Sequence, residues 1–142
     1  MYKFYCYSIV LLLLSVAGCG KNVSISGKVT FSDDGSPVRH GVVCFQTESL
    51  LARGNIKQDG TYVLGTEYIG NGLPPGLYHV TVIDTRKLVG TTPQGDPIFE
   101  NLVDSKASHR DTFNVTCDVT KSLRKFDITV DRSATARATV TP

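Results

Sequence analysis

The sequence predicts an all-β fold, a single β-sandwich of about seven short strands, and three observations carry that prediction. Apolar residues recur with a period of two in several separate runs, as strands with one wet face require. The runs are separated by Gly, Pro and Asp clusters, which turn a chain rather than continue it. No stretch shows the sustained apolar stripe of a helix.

The strands follow in order. Val23, Ile25, Gly27, Val29 and Phe31 alternate with Ser24, Ser26, Lys28 and Thr30, and Asp34-Gly35 with Pro37 ends that strand. Gly41 to Gln46 is a second run in which Val43 and Phe45 share one face and Val42 and Cys44 the other. Ala52 to Lys57 is a third, and Asp59-Gly60 is a strong hairpin signal joining it to Thr61–Gly65. Pro74, Pro75 and Gly76 bar a helix and launch a strand with Tyr78, Val80 and Val82 on its apolar face. Phe113, Val115 and Cys117 share a face of the next run, and Phe126, Ile128 and Val130 one face of the last. Between Thr85 and Asp111 alternation is lost, so "RKLVGTTPQGDPIFENLVDSKASHR" reads as a long connection. Such connections are where binding residues concentrate, and Arg86, Lys87, Phe99, His109 and Arg110 are its candidate interaction residues. Residues 132–142 read as a ragged tail or a weak edge strand.

The chain has 142 residues with 15 Lys+Arg against 13 Asp+Glu, a balance that gives nucleic acid no electrostatic foothold. Its start has a different character. Lys3 precedes an apolar segment, Tyr7 to Ala17, too short to span a bilayer, and small residues end it, the layout of an export signal. Val16-Ala17-Gly18-Cys19 resembles the lipobox of bacterial lipoproteins, which implies a signal peptide over 1–18, cleavage before Cys19 and diacylglycerol on its sulfur. The expected partner at that point is membrane lipid, reached through acylated Cys19. The expected location is the bacterial cell envelope, outside the cytoplasm. Residues 19–22 are then a tether of about four residues, on the order of 14 Å when extended, and 23–131 form the domain.

Of the four cysteines, Cys6 leaves with the signal and Cys19 takes the lipid, which leaves Cys44 and Cys117. Export permits a disulfide between them. Parity opposes it, because Cys117 shares the inward face of its strand while Cys44 lies on the outward face of its own.

Three segments, "VSISGKVTFSDDGSPVRHGVVCF", "ARGNIKQDGTYVLGT" and "GLPPGLYHVTVID", resemble successive signatures of the carboxypeptidase-regulatory-like, transthyretin-like sandwich, especially the single-domain lipoproteins of that kind in planctomycete-type bacteria. "LVDSKAS…FNVTCDVTKSLRKFDITVD" resembles that group's last two strands, whereas "KASHRDT" departs from it. The resemblance implies an accessory sandwich without catalytic role or cofactor, an interaction or structural module whose partner is an envelope protein or polysaccharide. A carbohydrate or small-molecule binder with a site between loops is the alternative. The related hydrolase of 5-hydroxyisourate ends in Tyr-Arg-Gly-Ser, and "RATVTP" lacks that motif.

Other constellations have simpler explanations. His40, His79 and His109 show no metal-ligand spacing, and Ser108-His109 with Asp111 has triad residue types but no nucleophile elbow. Asp33, Asp34 and Asp59 are accounted for by turns, since no calcium loop follows them. Lys28 and Asp127 are residue types that form internal isopeptide bonds in related surface-protein sandwiches, but both sit at wet parity and such a bond needs burial.

Overall fold

A computed structural model describes residues 21–138, and alternation along its strands becomes two facing layers. In chain order the strands are β1 Ser26–Phe31, β2 Val42–Gln46, β3 Leu51–Asn55, β4 Thr61–Val63, β5 Gly76–Ile83, β6 Arg86–Thr91, β7 Pro97–Asn101, β8 Val115–Val119 and β9 Ile128–Val130. One sheet has the order β4-β1-β9 and the other β3-β2-β5-β8, while β6 and β7 pair only with each other. The two main sheets thus use seven strands, the number expected. All pairings in them are antiparallel except β1 with β9. The expected signal peptide and Cys19 lie outside the described residues. Among the described residues no helix is long and apolar enough to cross a membrane.

The inward residues are those that alternation selects. Val29 and Phe31 of β1, Val43 and Phe45 of β2, Tyr62 of β4, Val80 and Val82 of β5, and Ile128 and Val130 of β9 all enter one core. Phe45 meets the Phe126 ring edge-on at 5.7 Å, a favoured aromatic geometry. Gly27 lies directly opposite Tyr62, and the Tyr62 hydroxyl donates to the Phe126 carbonyl. A Cβ on Gly27 would stand 1.9 Å from that carbonyl oxygen, so glycine is what lets the tyrosine close the β1–β9 layer. Tyr78 buries its ring, and its hydroxyl donates to the Pro74 carbonyl at 2.8 Å, tying β5 to the turn that launches it.

Two expectations need correction, and the open question of the disulfide is answered. The 85–111 connection is not irregular throughout: it folds into the β6–β7 hairpin and a 3-10 helix, Ser105–Ser108. After Arg132, which bridges to Val103, the tail is a one-turn helix, α1 Ala134–Ala138, rather than a strand. Ser133 starts it, its hydroxyl accepting from the Ala136 N–H at 3.1 Å as a helix cap does. The Cys44–Cys117 disulfide is absent, both thiols being free and buried. Cys117 pairs with Tyr78 on the inner face, whereas Cys44 pairs with Thr81 and Arg53 on the outer face of the same sheet. Cys44 thus takes the outward face that parity assigns it, but it is only 4 % exposed, because a short side chain on a central strand is shielded by its longer neighbours.

Strand direction gives the sandwich two ends. The chain enters at one of them, where Val23 pairs with Leu73 and the Asn22 side-chain amide donates to the Asn71 carbonyl at 3.3 Å. The β2–β3 turn, the loop after β4 and the β8–β9 turn gather at that end. The 32–41 loop, the β3–β4 turn, the β6–β7 hairpin and α1 lie at the other, because β5 and β9 both finish there.

Candidate functional site

The β6–β7 hairpin is the element the core does not explain. Every residue of β6 is exposed, and Leu88, Val89, Ile98 and Phe99 leave 54, 50, 44 and 53 % of their surface in solvent. Backbone pairing holds it together: Arg86 faces Asn101, Lys87 faces Glu100 and Leu88 faces Phe99, with a bulge between Leu88 and Gly90. At its tip the Thr92 N–H donates to the Asp96 carbonyl at 2.8 Å, and the Thr92 hydroxyl accepts from the Asp96 N–H at 3.1 Å. Gly95 supplies the positive φ of 92° that this turn needs.

Its root is fixed to the sandwich. The Leu102 N–H donates to the Thr85 carbonyl and the Ser133 N–H to the Leu102 carbonyl, each at 3.0 Å. The Ser133 hydroxyl also donates to the Asn101 carbonyl, and Val103 is buried below. A hairpin so rooted presents Leu88 and Phe99 as one fixed pair, with the Arg86 guanidinium 5.6 Å from the Phe99 ring centre. Arg86 also approaches Asp84 at 4.0 Å, an exposed ion pair of small energetic consequence.

Two grooves flank the hairpin. One, of about 830 Å³, runs between it and the 32–41 loop and is lined in part by Arg39, His40, Arg86, Lys87 and Arg132. The other, of about 720 Å³, lies between Val89, Ile98 and the start of α1, and Glu100 reaches into its wall.

Arg132, which sequence reasoning missed, organises this end. Its Nε donates to Asp33 at 2.9 Å, and its Nη2 reaches Asp34 at 3.1 Å and the Ser36 hydroxyl at 3.0 Å. The guanidinium lies 3.7 Å over the Phe31 ring centre, so both its edge and its face are used. The Arg132 hydrogen bond holds the Asp33 carboxyl below its ordinary range. Asp33 and Asp34 also make the expected turn, the Ser36 N–H donating to Asp34 at 2.9 Å. Nothing local in the sequence ties Arg132 to a turn 98 residues away.

Of the candidate interaction residues, Arg86, Lys87 and Phe99 meet on the hairpin, whereas His109 and Arg110 follow the 3-10 helix and line neither groove. His109 Nδ1 lies 3.0 Å from both the Ser108 hydroxyl and the Ser105 carbonyl. A carbonyl only accepts, so bonding to it requires Nδ1 to carry the proton, and Ser108 already donates to the same carbonyl at 2.6 Å. His40 lies in the basic groove and His79 on the outer face of β5 opposite Gln46, so the three histidines stay apart. Lys28 and Asp127 are both exposed, and Asp127 takes the Lys28 backbone N–H and the Lys125 ammonium, each at 2.9 Å.

Both described thiols are protected by their surroundings. Burial raises the Cys44 thiol above its ordinary value and pushes Cys117 up to about 11.

No family model matches the chain, and no curated protein matches it. Among solved structures it is similar to the major pilin subunit of Bacillus cereus, with a TM-score of 0.49 and 10 % identity over 80 % of this chain and 30 % of the pilin. The chain therefore spans less than a third of that pilin's length.

Proposed function

We propose that this protein is a lipid-anchored envelope module, a non-catalytic sandwich of the carboxypeptidase-regulatory-like, transthyretin-like type. Acylated Cys19 ties it to membrane lipid outside the cytoplasm, and the β6–β7 hairpin binds an envelope protein or polysaccharide. One observation carries this role: apolar Leu88 and Phe99 are held out on a rooted hairpin at the end opposite the chain's entry. A core strand would bury such residues, and a solubilising loop would lack them. Display at the far end also keeps the hairpin clear of the lipid.

The test is a pull-down with the lipidated protein from its native envelope, comparing wild type with a Pro93–Asp96 deletion and with L88S/F99S. L88S/F99S should keep the fold, because both side chains are exposed, the deletion should keep the two main sheets while opening the hairpin tip it removes, and both should lose the captured partner. Retention of every partner by both would refute this role.

The groove beside the 32–41 loop favours a second function, binding of an anionic sugar or another small acid, since Arg39, His40, Arg86 and Lys87 line it and the one carboxylate in its lining, Asp34, is taken by Arg132. Calorimetric titration with uronic-acid oligomers separates the two: saturable heat that R86S/K87S abolishes supports the groove, and its absence supports the hairpin alone.

A further inference from the structure

Among the described residues, the two most exposed large hydrophobic side chains are not on the hairpin. Tyr68 and Ile69 leave 70 and 71 % of their surface in solvent, adjacent in the loop that follows β4. Their loop is tightly built. The Asn71 side-chain oxygen accepts from the Thr66 N–H at 2.7 Å, and its amide donates back to the Thr66 hydroxyl at 3.0 Å. The Asn71 N–H donates to the Tyr68 carbonyl at 3.2 Å. Gly65 and Gly72 bridge at the neck, where a Cβ on Gly65 would stand 2.0 Å from the Tyr68 carbonyl oxygen. The segment between those glycines is thus closed into a pedestal whose top is a tyrosine and an isoleucine.

The same loop carries the entering chain. A Cβ on Gly72 would stand 2.5 Å from the Val23 carbonyl oxygen, and Asn22 bonds Asn71. Cys19 is three residues before Asn22, so its Cα can lie no more than roughly 11 Å from that of Asn22. The β8–β9 turn at this end adds Lys121 and Arg124, cations that anionic headgroups attract, while its Lys125 is paired with Asp127 and Glu67 stands beside Tyr68.

From this placement we infer that the Tyr68–Ile69 tip is a second membrane contact, seated in the interfacial layer beside the acylated Cys19. It rests on the lipid anchor proposed above. The surface it fits is a bilayer, because the chain's own length brings lipid to it: an apolar tip beside an acyl chain meets acyl chains before anything else. Tyrosine suits that layer, its ring apolar and its hydroxyl wet. The anchor and the tip together would fix the sandwich upright, with the hairpin facing away from the membrane.

The test uses the full lipidated chain with a single fluorophore on E67C, or on Q94C at the hairpin tip. Each is reconstituted in phosphatidylethanolamine–phosphatidylglycerol vesicles bearing doxyl-labelled acyl chains. The probe at 67 should be quenched several-fold more than the probe at 94, and Y68S/I69S should bring it down to the level at 94 with the diacylglycerol mass on the mature chain retained. An acylated chain whose probe at 67 is quenched no more than that at 94, or is equally quenched with and without Y68S/I69S, overturns the tip contact and leaves the anchor standing. A mature chain without the diacylglycerol mass overturns the anchor and the inference with it.

Discussion

Replacing Gly27 by alanine should be costly although the position lies in a strand, where alanine ordinarily gains about 0.5–1 kcal/mol over glycine. The new Cβ would stand 1.9 Å from the Phe126 carbonyl oxygen, 2.7 Å from its carbon and 2.8 Å from the Tyr62 hydroxyl. Two of those atoms are backbone, so β9's approach must open or β1 must bend. Overpacking of this kind costs about 1–3 kcal/mol. Separation also breaks the bond from the Tyr62 hydroxyl to Phe126, and a buried hydroxyl left without a partner adds about 1–3 kcal/mol. Against the propensity gain, the net loss is about 2–4 kcal/mol, a lowering of Tm by roughly 10 °C in a domain of this size. Thermal and urea unfolding of G27A, Y62F and G27A/Y62F read it out. Y62F alone should cost about 1 kcal/mol. In the Y62F background G27A should remain destabilising, because the clash with the Phe126 backbone persists. A neutral or stabilising G27A would refute the close-approach role and leave strand propensity as the governing effect.

Two further outcomes follow from charge and burial. R132A should lower Tm by a few degrees at pH 7, where ionised Asp33 accepts from Arg132. Asp33 has its carboxyl held low, so this contribution is present above the ordinary carboxylate pKa of about 4. It is lost as pH falls from there through the lowered folded value of Asp33, so the gap between wild type and R132A should narrow on acidification, the contact of Arg132 with Phe31 keeping the remainder; a gap as wide in acid as at pH 7 would refute the linkage. Cys44 and Cys117 should resist a maleimide at pH 7 in the folded domain and react on unfolding, counted by mass spectrometry; prompt labelling of either in the native state would contradict their burial.

Strands that bury one face were legible because burial imposes the period of two. Val43 and Phe45, Tyr78 with Val80 and Val82, and Ile128 with Val130 declare their sheets through that period alone. β6 escaped for the same reason in reverse: with both faces wet, nothing selects alternate apolar residues, and Leu88-Val89 sit side by side. A signal for it did exist in "TTPQGD", where Pro93 and Gly95 mark a turn. Ser133 similarly marked a helix start, but one helical turn is too short to show a period. Cys44 exposed a different limit, since parity states which face a residue takes and not whether that face is wet. The Arg132 knot had no local signature at all, because its partners are brought together only by β1 and β9 running side by side.

These limits bear on where function is to be sought in a sandwich of this kind. The core side chains answer to packing, so their pattern reports the fold and is silent about partners. Leu88 with Phe99 and Tyr68 with Ile69 break the rule that large apolar residues leave water, and each pair does so on a segment that hydrogen bonds hold in shape. Holding an apolar pair in water on an ordered loop gains the fold nothing, whereas a surface waiting to bind gains by having the ordering entropy already spent. Because the two pairs lie at opposite ends of strands that run the length of the sandwich, one surface cannot cover both. If lipid takes the end where the chain enters, the hairpin is left for a partner that approaches from the other side.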